Sequence, residues 1–328
     1  MYSLSACGAN AAVYVIICFG EVIMISKKKI AAIVMAVMMV CTIFVGCGSS
    51  SSTSGLGSAD TSASSAPAEQ DPDSVLNTKV LRVGMECGYA PYNWTQSDDS
   101  NGAVKIHDTK DYAYGYDVMM AKKLAEDLGY TVDIYKIDWD SLPVALQSGK
   151  IDCVIAGQSI TAEREKTVDF TNPYYYATVV GLVKKDSKYA SAKSLADLKG
   201  VTASSQINTV WYDKMLPQIE DANIKPAFES VPNMLVALES GSIDFVCTDR
   251  PTAMAACVSY PDMQMIEFSE GNGFKVSDED VNIGISVKKG NTKLLNQLNT
   301  ALAKMTVNDF NDMMEQAIKV QPLSNTDN

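Results

Sequence analysis

Two stretches of this chain read almost alike: Val144-Ala145-Leu146-Gln147-Ser148-Gly149-Lys150-Ile151-Asp152-Cys153-Val154 and Val236-Ala237-Leu238-Glu239-Ser240-Gly241-Ser242-Ile243-Asp244-Phe245-Val246. Each has apolar residues at helical spacing, a glycine where the helix stops, and a short apolar run opening Ile-Asp, which is the pattern of a helix followed by a buried strand. Two copies are too few for a solenoid, where about three repeats are needed to bury a continuous core. They predict two similar α/β lobes, for which 328 residues leave ample length.

Around the first copy, Val80 to Met85 reads as a strand, and Tyr116 to Leu128 as a helix with Val118, Ala121, Leu124, Ala125 and Leu128 on one face. Thr131 to Ile137 reads as a further strand. The alternation implies a mostly parallel sheet with crossover helices in each lobe. Ligands of such sheets bind beyond the carboxyl ends of the strands. Gly157 and Asp249 are equivalent positions under the repeat, each just past a strand end, so both are expected to face a shared cleft.

The N-terminus is set apart from any fold. Lys27, Lys28 and Lys29 precede an apolar run from Ile30 to Val45 that ends in Gly46-Cys47, a basic n-region and an h-region followed by a small residue. An uncleaved membrane anchor is the alternative, but the run is shorter than the roughly 20 residues a span needs. Residues upstream of Met24 fit no targeting pattern, whereas a chain starting at Met24 opens in standard signal-peptide form, so translation is expected to start there. From Gly48 to about Ala68 the sequence is nearly all Ser, Ala, Gly and Thr and reads as a flexible tether.

The net charge is −12; residues 1–46 carry three lysines and one glutamate, a net +2, which leaves −14 beyond Gly46. So acidic a surface argues against nucleic acid as a partner. Of the eight cysteines, Cys87, Cys153, Cys247 and Cys257 fall in the folding part. They form no CxxC pair, and the single His107 cannot complete a zinc site. Cys153 and Cys247 sit inside apolar strand-like runs and read as buried free thiols, with a disulfide as the other reading. No P-loop, Rossmann glycine fingerprint or Ser/His/Asp set is present, and no cofactor is called for.

Six segments, in their order and spacing, resemble family 3 of the bacterial extracellular solute-binding proteins, the polar amino acid type. They are Gly115-Tyr116-Asp117-Val118, Trp139-Asp140-Ser141-Leu142, Ser148-Gly149-Lys150-Ile151-Asp152, Gly157-Gln158-Ser159-Ile160-Thr161-Ala162-Glu163-Arg164, Val168-Asp169-Phe170-Thr171-Asn172-Pro173-Tyr174 and Asp197-Leu198-Lys199-Gly200. The resemblance runs from Lys79 to about Val320. It implies a two-lobe type II periplasmic-binding-protein fold with a two-strand hinge, and a binding protein that hands a free L-amino acid to an ABC permease and its ATPase. Phe44-Val45-Gly46-Cys47 resembles a bacterial lipobox. That implies lipid on Cys47 and a protein tethered to the extracytoplasmic face of the cell membrane by this anchor alone. The expected organisation is a leader over 1–46, an anchor and tether over 47–75, the first lobe over 76–182 and 281–322, the second over 183–280, and a tail over 323–328. A monomer is the default for this class.

Thr161 is a good N-cap for a helix with Arg164 in its first turn, where a cation is unfavourable unless an anion arrives. A ligand carboxylate would match the guanidinium fork and the helix-start amides; a surface Arg164 paired with Glu163 or Glu165 is the alternative. The resemblance favours the ligand. Asp249 follows an apolar strand and precedes Arg250-Pro251, so it reads as an N-cap. The resemblance implies instead that it meets the ligand ammonium, with the Gly157 carbonyl and the Ser159 hydroxyl. In the second lobe the family's Gly-Thr turn is replaced by Ser204-Ser205-Gln206-Ile207-Asn208-Thr209, from which only Asn208 and Thr209 carry over. On the resemblance, side-chain selectivity falls to Glu86, Tyr89, Tyr92, Trp94 and Trp139, with packing in the core as the alternative for the aromatics; Glu86 favours a polar or cationic side chain, while the extra Tyr and Trp leave an aromatic or other apolar amino acid open.

The crossings between lobes are expected at Tyr174 to Val183 and at about Val276 to Gly284. The stretch Leu294 to Ile318 would pack back on the first lobe. The rivals are a cyclohexadienyl-dehydratase-like enzyme on the same fold, for which Glu86 is the one acid or base in view and no convergent His or Lys is evident, and a sensory ectodomain, for which no spanning segment follows Val320.

Overall fold

The computed structural model describes residues 14–18, 21–25 and 74–321. Met1–Ser64 and Ser65–Asn328 are separate compact units. In the first, β1 (Tyr14–Cys18) and β2 (Glu21–Ile25) pair as an antiparallel hairpin. Cys47, the apolar leader and the tether lie outside the described residues.

The second unit holds both expected lobes. It opens with α1 (Ser74–Thr78), β3 (Val80–Met85), β4 (Gly88–Tyr89), β5 (Asn93–Gln96), β6 (Val104–Lys105), β7 (Tyr112–Tyr114), α2 (Tyr116–Leu128) and β8 (Thr131–Lys136). Helix α2 coincides with the expected span. Gly115 precedes it at φ 128°, where a Cβ would lie 2.4 Å from the Tyr92 carbonyl oxygen, so the entry is open to glycine alone. Gly129, in the left-handed region, stops it. Then come α3 (Leu142–Gln147), β9 (Cys153–Val154), α4 (Ala162–Glu165), β10 (Val168–Phe170), β11 (Tyr175–Tyr176), β12 (Val179–Lys184), β13 (Thr202–Ser204), β14 (Asn223–Ile224), α5 (Val231–Glu239) and β15 (Phe245–Asp249). The chain continues through α6 (Arg250–Ser259), β16 (Met263–Ile266), α7 (Asp278–Val281), β17 (Asn282–Ile283), β18 (Ser286–Lys288), α8 (Thr292–Leu302) and α9 (Val307–Val320).

The first lobe's sheet has the order β10-β18-β9-β3-β8 and the second's β14-β13-β15-β12-β16. The expected parallel pairs form on one side of each, β3 with β8 and β9, and β13 with β14 and β15. The other side is antiparallel, because β18 and β12, the strands that enter from the opposite lobe, run against their neighbours. The two repeat copies sit in equivalent places. Helix α3 leads into β9 beside β3, and α5 into β15 beside β13. Each helix ends with the same bonds: Gly149 N–H to Leu146 O and Lys150 N–H to Ala145 O, then Gly241 N–H to Leu238 O and Ser242 N–H to Ala237 O. Both glycines have φ near 75°, the left-handed C-terminal stop that the pattern demanded.

The crossings meet as a two-strand ribbon, with Tyr175 opposite Ile283 and Tyr176 opposite Asn282. The first crossing is shorter than expected, since β12 already belongs to the second sheet from Val179. The C-terminal stretch is two helices, broken where Thr306 and Asp309 form a capping box. Both return to the first lobe, Gln297 of α8 accepting from the Tyr130 hydroxyl and Gln316 of α9 donating to the Tyr114 hydroxyl. The core is apolar in both lobes and takes in Cys153 and Cys247. The four cysteines of this unit are free thiols, three buried and Cys257 partly so.

Candidate functional site

Four loops meet between the lobes, each leaving the carboxyl end of a strand on the parallel side of its sheet: those after β3 and β9 from the first lobe, after β13 and β15 from the second. Such ends are where a cleft must open in a sheet of this kind. The loops after β3, β9 and β13, with Trp139 from the segment after β8, line a cavity of about 20 Å³ through Tyr89, Trp139, Gly157, Ser159, Arg164, Gln206, Thr209 and Trp211.

Thr161 caps α4 as its sequence promised, its hydroxyl accepting from Arg164 N–H at 3.2 Å. This turns the Arg164 side chain inward. Nη1 donates to the Ser159 carbonyl at 2.7 Å and Nη2 crosses to the Asn208 carbonyl of the second lobe at 2.8 Å. The guanidinium carbon lies 5.4 Å from the Trp139 ring centre, a cation–π distance. The surface pairing with Glu163 does not occur, since Glu163 is bound by Lys166. Burial brings Arg164 down to about 10, with Asp213 opposing the shift.

Asp249, at the end of β15, is buried. It does cap a helix, accepting from Thr252 N–H at 2.9 Å on Oδ1 and from the Thr252 hydroxyl at 3.0 Å on Oδ2. It also meets the first lobe, where Oδ2 accepts from the Tyr89 hydroxyl at 2.6 Å. Burial raises its pKa against those hydrogen bonds. Tyr89 in turn stacks on Tyr92, ring centres 4.8 Å apart, and a Cβ on Gly157 would lie 2.8 Å from the Tyr89 ring. Gly157 is therefore a glycine because an aromatic ring lies against its backbone, and its φ of 62° suits no larger residue well.

Glu86 is joined across the cleft by Gln206, whose Nε2 donates to its carboxylate at 3.1 and 3.3 Å. Burial pushes the Glu86 carboxyl up to about 7; the Gln206 bond opposes this, and Asp138 and Asp140 add to it. Lys136 also acts on Glu86 electrostatically, so a lysine is nearer than the sequence suggested, although its Nζ donates to Thr95. Asn208 takes a left-handed φ of 57°, a conformation asparagine tolerates better than most residues. It lies in the segment that replaces the family's Gly-Thr turn, and its side chain donates to Asp140 at 2.7 Å. Thr209 is buried with its hydroxyl on the Gln206 carbonyl. Trp94 lies away from the cavity, edge-on to Tyr114 with Nε1 donating to Gln96.

Sequence reasoning passed over Gln206, Trp211 and a buried network beneath the site. The Tyr174 hydroxyl accepts from Gly157 N–H at 3.1 Å and donates to Asp117 at 2.7 Å, while Asn93 donates to Asp117 at 2.8 Å and accepts from Cys87 N–H at 2.7 Å. Asp117 thus ties together the loop that carries Glu86 and Tyr89, the loop that carries Gly157, and the start of the first crossing. Burial raises Asp117 to about 6, with Tyr174 and Asn93 opposing. A first-turn Asp is common at any helix start, so its sequence carried no sign of this role.

The sequence profile of the bacterial extracellular solute-binding proteins, family 3, matches residues 81–318. The chain belongs to that family. Its relatives include the ABC transporter arginine-binding protein 1 of Escherichia coli strain K12, 32% identical over 227 residues that span 68% of this chain and 84% of that protein. Among solved family folds, an ancestral arginine-binding protein bound to arginine is 35% identical with a TM-score of 0.59, over 73% of this chain and 97% of that one. An ancestral amino-acid-binding protein, a precursor of cyclohexadienyl dehydratase, is 30% identical with a TM-score of 0.61, over 75% of this chain and 99% of that one. The two lobes and hinge described above are the type II arrangement of these family members.

Proposed function

We propose that this family member is the binding component of an ABC importer, closing its lobes on a free L-amino acid and delivering it to the permease. The reading is carried by one observation: the Arg164 guanidinium lines the cavity between the lobes and bonds to the neutral Ser159 and Asn208 carbonyls, while the buried Asp249 of the second lobe is held by Tyr89, which lines the same cavity. Among the described residues no carboxylate lies within ion-pair distance of that guanidinium. A zwitterionic α-amino acid supplies the carboxylate for Arg164 and the ammonium for Asp249, Gly157 and Ser159, with Thr161, Thr209 and Asn208 completing the carboxylate end. Two charges removed from water are tolerable only when paired and hydrogen-bonded, so closure is favourable with such a ligand in place.

Glu86, partnered by the cavity-lining Gln206, suits a ligand with a polar or cationic side chain. The arginine-binding relatives agree with that choice. A dehydratase-like reading draws on the ancestral precursor and on Glu86, poised near neutrality. Among the described residues the lysine that acts on Glu86, Lys136, donates to Thr95 rather than to the Glu86 carboxylate. Lipid on Cys47 would hold a monomer at the extracytoplasmic face, with 183–280 moving against 76–182 and 281–322.

A thermal-shift screen of the purified protein against the L-amino acids, ornithine, citrulline and prephenate tests this. A ligand at 100 times its dissociation constant adds about 2.7 kcal/mol. A shift with a small group of L-amino acids supports the reading; a shift or turnover with prephenate alone replaces it by the enzyme. Cys47→Ala should move the protein from the membrane to the soluble fraction, and its retention there would overturn the anchor.

A further inference from the structure

The first crossing and the strand it feeds are paired along one side at both ends and not in the middle. Tyr175 and Tyr176 stand opposite Ile283 and Asn282, and Gly181 to Lys184 opposite Ile266 to Met263. Between those two pairings the partner chain leaves the ribbon over residues 267–281. Beside Val179 and Val180 it leaves an opening of about 540 Å³, a volume within the range of small-molecule sites. The departure is built in. Ser269 N–H donates to the Lys193 carbonyl, Leu195 N–H to the Asn272 carbonyl, and Lys275 N–H to the Gln218 side chain. The segment is anchored at those places instead of on β12.

The opening faces an unfinished backbone edge. On the far side of β12, Val179 stands opposite Asp249 while Arg250 N–H donates to the Thr178 carbonyl. In an antiparallel ladder this makes Val179 and Asp249 a pair whose own N–H and C=O groups point away from each other. Those of Val179 are therefore aimed into the opening, where the pairing with β16 has already ended at Gly181. A continued β16 would have put Phe268 there. Around this edge the lining is apolar, with Phe268 edge-on to Phe274 at 5.4 Å and Val276 and Val281 beside them. Of the two charged residues that line it, Glu267 is taken by Arg250. Lys275 has no ion pair among the described residues, so the charge on offer is positive.

We propose that this opening is a second binding site, for the C-terminal end of a short extended apolar peptide. One peptide residue exchanges both of its backbone hydrogen bonds with Val179, as an added antiparallel strand does. The following side chain lies against Phe268, and the terminal carboxylate meets Lys275. None of these groups belongs to the cleft between the lobes, and the ligand needs no ammonium.

The probe is N-acetyl-valyl-phenylalanine, titrated calorimetrically into the full-length protein in detergent. Its acetyl group denies the cleft an amino-acid zwitterion. Saturable binding is expected in the wild type and in Arg164→Ala. Val276→Trp, which fills the opening from a position 49% exposed, should abolish it. Methylating the valine nitrogen of the probe removes its bond to the Val179 carbonyl and should weaken binding about fivefold. Lys275→Gln should weaken it about tenfold and leave the probe no better than its C-terminal amide. Absence of saturation in the wild type overturns the proposal, as does undiminished binding of the N-methyl probe. Binding lost in Arg164→Ala and kept in Val276→Trp would put the probe in the cleft and also overturn it. No result depends on whether a free amino acid binds, so the two readings fail separately.

Discussion

The Tyr89 hydroxyl of the first lobe donates to Asp249 Oδ2 of the second at 2.6 Å, and Asp249 is the residue proposed to meet the ligand ammonium. On that proposal the contact that latches the two lobes competes with the ligand for the same acceptor. Replacing a hydrogen bond worth about 1 kcal/mol changes an affinity about fivefold. Tyr89→Phe, which keeps the ring against Gly157, is expected to tighten amino-acid binding by that order, measured by titration calorimetry. Weaker binding would mean that the hydroxyl touches the ligand itself.

Arg164→Ala and Asp249→Ala each leave the opposite charge of the ligand buried and unpaired, at a cost of about 3–5 kcal/mol. Binding should be lost in both. The stability readout should differ, because Asp249 also caps α6 through Thr252, so its alanine variant should lose about a further 1 kcal/mol of folding stability. Asp249→Asn, which can still accept from Thr252 N–H, should recover most of that stability without recovering the ligand. Near-normal affinity in either alanine variant contradicts the site.

Glu86 and Asp117 both have carboxyls raised by burial, to about 7 and about 6. A carboxyl with a raised folded pKa holds its proton more tightly in the folded state. Its stabilising effect is complete below the unfolded value and is lost as pH rises through the folded one. Stability should therefore fall as pH climbs from about 5 to about 8, by up to about 2–3 kcal/mol for Glu86. Glu86→Gln should flatten the upper part of that slope in thermal melts. A cationic ligand side chain would hold Glu86 charged, so arginine should displace a proton near neutral pH while glutamine does not. Calorimetry in buffers of different ionisation enthalpy reads this directly.

Tyr174 stands between Asp117 and Gly157, so Tyr174→Phe removes the link and leaves the carboxylate in place. The half-buried Gly157 amide and the buried Asp117 would each lose a partner, at about 1–3 kcal/mol of stability for Asp117. A purely structural role would end there. A positioning role adds a severalfold loss of ligand affinity and a displaced Gly157 amide resonance, and an unmoved resonance with unchanged affinity would remove the role.

The elements with strong local signals were legible. The α2 span was set by apolar periodicity between Gly115 and Gly129, and the repeat was fixed by two glycine stops with identical bonding. Thr161 declared itself as a cap. Asp249 was readable as a cap or as a cleft residue, and it is a cap that also meets the first lobe, because one carboxylate has oxygens enough for Thr252 and Tyr89. What stayed hidden depends on contacts far apart in sequence. The Glu86–Gln206 bridge joins residues 120 apart. Asp117 looked like any first-turn acid. Gln158 sat inside a motif beside the cavity-lining Gly157 and Ser159, with nothing to show that its own side chain would be buried with Oε1 unpartnered. The antiparallel half of each sheet follows from which lobe a strand enters from, and no local pattern encodes that.

The central claim is that Arg164 and Asp249 read the two charges of one amino acid. The measurement that tests it most directly is calorimetric affinity for the best L-amino acid of the screen beside its N-acetyl and methyl-ester derivatives. The account predicts saturable binding of the free amino acid and none of either derivative, since each lacks one charge. Equal binding of the N-acetyl form would contradict the role of Asp249, and equal binding of the ester that of Arg164.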